Sequence, residues 1–74
     1  MPSFTVPYTD DQLEVDPDRR EVRLFRNAWN RESSGYPDET YTFEAVLADA
    51  ALMGRLTTML AGNDAAELER LVRS

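Results

Sequence analysis

The chain contains no cysteine, no histidine and no lysine in its 74 residues. Without cysteine no disulfide can staple a chain of this length, which lies near the lower limit at which an apolar core offsets conformational entropy unaided. The loss of imidazole and thiol together removes the usual structural zinc sites, thiol catalysis, Ser-His-Asp triads and the neutral-pH proton shuttle. The three glycines, at 35, 54 and 62, form no GxGxxG or GKT/GKS phosphate loop. No run reaches the roughly 18 apolar residues of a membrane span, and the start MPSFTVPYTDD lacks the basic region and apolar core of a signal peptide. These absences predict one small cytoplasmic domain, not an enzyme, with no cofactor and no metal.

Acid is what the chain has in excess. Fourteen carboxylates against eight arginines give a net charge of −6, which repels nucleic-acid phosphates and favours a basic partner. An all-arginine basic set fits a GC-rich or salt-adapted coding background, and it also supplies planar, bidentate donors.

Along the chain, Phe4, Val6 and Tyr8 alternate with Ser3, Thr5 and Pro7, predicting a strand over residues 3–8. Pro7 cannot donate to a ladder, so that strand lies at a sheet edge or ends there. The stretch LEVDPDRREVRLFRN, residues 13–27, supports two local readings. With Asp16 as N-cap and Pro17 at the first helical position, Val22, Phe25 and Trp29 follow at helical spacing. As a hairpin of strands 12–16 and 21–27, Val15 pairs with Val22, Leu13 with Leu24, and Glu14 with Arg23. One register then satisfies both the apolar and the charged face, whereas the helix ignores Leu13 and Val15 and leaves Leu24 off its stripe. The hairpin is the preferred reading.

Residues 28–38 are rich in Asn, Ser, Gly and Pro and read as a loop. Trp29 and Tyr36 in it either cap the core or contact a partner. ETYTF alternates Tyr41 and Phe43 with threonines, as a last strand or the start of the next helix. From 44 to 61 the pattern is helical, with Val46, Met53 and Leu60 repeating every seven residues and Leu52, Leu56 and Met59 beside them. Ala50, Gly54, Thr57 and Ala61 give this helix a small second face that permits close approach of another backbone, at about 1 kcal/mol of helix propensity for Gly54. Gly62 reads as a left-handed helix stop. Asp64 with Glu67 then resembles a capping box opening a short helix over 64–73, with Leu68, Leu71 and Val72 as its apolar stripe. The fold class is α+β: an antiparallel sheet of three or four short strands packed on a C-terminal two-helix hairpin.

No motif of catalysis or metal binding emerges. The acids Asp10, Asp11, Glu14, Asp16 and Asp18 lack the spacing and central glycine of an EF-hand loop, and a solvated turn protecting an edge strand explains them better. Asp49 falls on the helical face of Leu52, Leu56 and Met59. Either the first helical turn emerges from the core there, or the carboxylate pairs with an arginine of the last helix or of a second copy. A helix apolar on more than one side suits burial between sheet and neighbouring helix, or a homodimer through 44–61.

LEVDPDRREVRLFRN resembles the strand-turn-strand that opens the winged-helix domains of response regulators, over about fifteen residues of 74. Those domains continue into two helices with a basic recognition face and a wing. This chain ends instead in helices carrying Glu67 and Glu69, so no function is carried across. In length, charge and lack of catalytic residues the chain is similar to small phage-encoded inhibitors of host defence complexes, anti-CRISPR-like proteins and DNA mimics among them. The resemblance implies occupation of a basic groove meant for phosphate, or simple steric blocking.

The functional expectation is a non-catalytic protein-binding module, a regulator or inhibitor that docks on a basic or nucleic-acid-binding protein. Its contacts would be Asp10, Asp11, Glu14, Asp16 and Asp18, together with Asp38, Glu39, Glu44, Asp49, Glu67 and Glu69 and the aromatics Trp29 and Tyr36. A DNA-binding regulator using Arg19, Arg20, Arg23, Arg26 and Arg31 and a structural subunit of a larger assembly are the competing classes. No direct contact with nucleic acid or membrane is expected of the preferred one.

Overall fold

The computed structural model describes residues 2–28 and 36–74. Trp29 and Arg31 lie outside the described residues. Four strands, β1 (Ser3–Thr5), β2 (Gln12–Asp16), β3 (Glu21–Phe25) and β4 (Glu39–Thr42), form one antiparallel sheet in sequence order, β1-β2-β3-β4. The helices α1 (Phe43–Ala48), α2 (Ala50–Thr58) and α3 (Gly62–Arg73) follow, giving a small α+β fold.

The central pair carries the expected register: Leu13 faces Leu24, Glu14 faces Arg23, and Val15 faces Val22. Leu13, Val15, Val22 and Leu24 are all buried. Alternation sends them to one face of the sheet, and the helical layer supplies Phe43, Val46, Leu52, Leu56, Leu68 and Val72 to the same core. The Asp16-Pro17 sequence therefore turns a hairpin. Asp16 Oδ1 accepts from the backbone N–H groups of Asp18 and Arg19, each at 3.1 Å, so the side chain itself builds the turn. Arg20 closes it in the left-handed region, at φ 55°.

Four boundaries differ from the sequence reading. The expected helix over 44–61 is broken at Asp49, whose backbone is extended (φ −129°, ψ 97°). Its Oδ1 accepts from Ala51 N (3.0 Å) and Leu52 N (3.2 Å), so the carboxylate that periodicity placed on an apolar face is the exposed N-cap of a new helix. Asp49 therefore leaves the core, as one of the two readings has it, but as a cap between two helices, and among the described residues it pairs with no arginine of α3. Met53 and Leu60 still reach the core beside Val46, because a bent helix pair can bury the same stripe as a straight helix.

Gly62 does not stop a helix but begins α3, two residues before Asp64. Ala61 stands at the N-cap without a side-chain bond, and Ala65 N donates to Ala61 O at 2.8 Å. The Asp64/Glu67 capping box is not formed; Glu67 turns to Arg70 instead.

β1 ends at Thr5, so the strand predicted over 3–8 gives way to a turn. β3 likewise ends at Phe25 rather than at residue 27. Finally, a Cβ at Gly54 would meet no atom within 4 Å, so at that position no neighbouring backbone approaches α2.

Candidate partner-binding surface

At one end of the sheet, Val6 O accepts from Thr9 N (3.2 Å) and from Thr9 Oγ1 (2.8 Å), closing a four-residue turn over Val6, Pro7, Tyr8 and Thr9. Proline sets φ at the first central position. Tyr8, at the second, has φ 65°, a conformation that favours glycine in a type II turn. The Tyr8 side chain is fully exposed, although alternation had placed it with Phe4 and Val6. The chain thus holds a large aromatic in water at a position where it costs about 1–2 kcal/mol of backbone energy relative to an ordinary conformation. Sequence reasoning missed Tyr8. The signal was Pro7: as the first central residue of a turn, it puts its successor at the special position.

The neighbouring loop is tied to this turn by carboxylates and backbone. Asp11 Oδ1 accepts from Asn27 N at 2.9 Å, Asp10 O accepts from Ala28 N at 2.7 Å, and Asp38 Oδ2 accepts from Arg26 N at 2.7 Å. Asp10, Asp11 and Asp38 are thereby brought to the same end of the sheet as Tyr8. Tyr36, two residues before Asp38, is 79% exposed. Among the described residues the Asp10 carboxylate has no hydrogen-bonding or ion-pair partner.

The other sequence-predicted contacts are dispersed. At the opposite end, Asp16 is only 7% exposed and cannot serve as an outward contact. Its Oδ2 accepts from Arg23 Nη2 at 2.7 Å, and Arg23 also donates to Glu21 at 3.0 Å. The amide of Arg19 above all, then the Arg23 guanidinium, holds the Asp16 carboxyl below its ordinary range. The register sets Glu14 opposite Arg23, yet the guanidinium reaches past it to these two acids.

Asp18 is exposed beside them, and Glu44 pairs with Arg20 at 2.8 Å while that guanidinium lies 5.1 Å from the Phe43 ring centre. Glu39 accepts from Arg26 Nη2 at 2.8 Å and from the Tyr41 hydroxyl; these two contacts, Tyr41 foremost, lower its pKa. On α3, Glu67 pairs with Arg70 and Glu69 with Arg73, surface contacts of small energetic weight. Arg19 carries no ion pair among the described residues, whereas Arg20, Arg23 and Arg26 are each matched to a carboxylate.

Among the described residues no group of three or more acids is placed to hold a metal ion, and no helix is long and apolar enough to cross a membrane. No protein-family model, curated protein or solved structure matches the chain.

Proposed function

We propose that the protein is a non-catalytic binding module, a regulator or inhibitor that docks on a basic protein through the loop end of its sheet. The single observation that carries this reading is Tyr8. A fully exposed aromatic at positive φ, in the turn that leads into Asp10 and Asp11 and at the same end of the sheet as Asp38, has no role in the core and stands where a cationic surface can meet ring and carboxylates. Pairing within the fold supports the same location: elsewhere Glu44, Glu67 and Glu69 are already matched to arginines. What weighs against the DNA-binding alternative is that three arginines of its strip spend their charge on neighbouring acids.

The test is retention of proteins from native host extract on the immobilised chain, compared with the triple variant Asp10→Asn, Asp11→Asn and Asp38→Asn across a salt series. Asparagine keeps an acceptor for the two capped amides and removes the charge. Retention that weakens in the variant and loses its salt dependence supports the reading. Equal retention at every salt concentration rejects it.

A further inference from the structure

Gly54 has no structural explanation within the fold. It sits inside α2, where glycine costs about 1 kcal/mol relative to alanine, and an added Cβ would touch nothing. Its position has a consequence outside the core: it forms part of the wall of a groove of about 580 Å³ between α2 and the β4 side of the sheet. Leu24, Tyr41, Leu52, Leu56 and Met59 also line this groove. Any side chain at residue 54 would narrow it.

Among the described residues β4 is the last strand of the sheet, and one of its edges has no strand partner. Phe43 N donates to Arg20 O at 2.9 Å, and Tyr41 lies opposite Val22. In the alternation of an antiparallel ladder, Thr40 then turns its backbone N–H and C=O groups toward the open edge and Thr42 its N–H, the Thr42 C=O being taken by the first turn of α1. Both are exposed. An open edge beside an apolar groove is the arrangement that takes an extended peptide as an added strand, with alternate side chains entering the groove.

The charges at the groove select among peptides. Two guanidiniums, Arg26 and Arg55, stand against one carboxylate, Glu39. Arg26 is bonded to Glu39, whereas Arg55 has no ion pair among the described residues. Glu39, Asp11 and Asp38 all act on Arg26, so Arg55 is the groove cation complementary to an acidic side chain.

We infer that the groove between β4 and α2 binds an extended, acidic segment of a partner protein, which adds to β4 as a fifth strand, places apolar side chains against Leu24, Leu56 and Met59, and sets a carboxylate on Arg55. This surface adjoins the loop-end acids at Arg26, whose backbone N–H donates to Asp38, but Tyr8 does not line it.

The test is selection of phage-displayed random peptides on the full chain, followed by titration of the winners against wild type, Gly54→Arg and Arg55→Glu. Gly54→Arg fills the groove from a position where a Cβ meets no obstacle, so the fold is retained, as its melting curve verifies. The expected winners alternate apolar residues and carry an acid. They bind roughly tenfold or more weaker to both variants, about the 1.4 kcal/mol of a lost contact. On binding they slow amide exchange at Thr40 and Thr42, and Tyr8→Gly leaves their affinity unchanged.

Winners with helical periodicity or basic character would overturn the inference, as would equal affinity for Gly54→Arg or a failure to enrich any peptide. A wild-type chain that sediments as a dimer, and as a monomer when Gly54 is arginine, would assign the groove to a second copy and also overturn it.

Discussion

Arg23 and Asp16 meet diagonally across the β2–β3 ladder, Nη2 to Oδ2 at 2.7 Å, with 14% and 10% of their side chains exposed. The same carboxylate caps the hairpin turn through its other oxygen. One side chain therefore fixes both the turn and the charge on the outer face of the sheet. A residue that reads as part of a solvated acidic run is a structural element.

The consequence is a dependence on acid. The Asp16 pKa is lowered on folding from its ordinary 3.8, so the carboxylate stabilises the fold fully above that value. The contribution is lost as pH falls through the lower folded value. Glu39 and Glu67, also lowered, act with the same sign from their ordinary 4.5. Urea midpoints should decline below about pH 4 in the wild type. Asp16→Asn should be less stable at neutral pH and show a shallower decline; an unchanged acid limb would mean that Asp16 does not contribute.

Leu13 is fully buried between Phe4 of β1 and Leu24 of β3 in the sheet register. Leu13→Ala should cost about 2–5 kcal/mol by urea denaturation, a large part of what so small a domain has available. A loss under about 1 kcal/mol would place Leu13 outside the folded core.

Asp49→Ala removes both cap bonds to Ala51 and Leu52 and should cost about 1 kcal/mol. Far-ultraviolet circular dichroism should show no gain in helix. A more stable, more helical variant would show that 43–58 prefers to run as one continuous helix.

Gly54→Ala should stabilise the chain by up to about 1 kcal/mol, because the new methyl meets no neighbour and helix propensity rises. Its melting temperature is the measurement. A destabilised variant would reveal a contact at residue 54 that the fold does not contain.

How much of this was legible in the sequence depends on whether one residue serves one level of structure or two. The β2–β3 register was readable because Leu13, Val15, Val22 and Leu24 and the Glu14/Arg23 pair all demand the same alignment. The α1–α2 break was not. Val46, Met53 and Leu60 keep their seven-residue spacing whether or not the helix bends, and only the capping geometry of Asp49 distinguishes the two. Asp16 was read as surface for a related reason: composition counts its charge, while its burial follows from a turn and a partner seven residues on. Tyr8 was misplaced because alternation continued past Thr5, where Pro7 had already begun the turn.

The proposed docking surface depends most on Tyr8 as an aromatic displayed for a partner. Tyr8→Gly tests this directly when stability and retention of host proteins are measured on the same preparation. Glycine relieves the positive φ but adds entropy to the unfolded chain, so the net change should lie between about 0 and +1 kcal/mol. A variant at least as stable as the wild type that retains markedly less partner is the predicted result. A variant that unfolds more readily, or retains as much, would contradict the account.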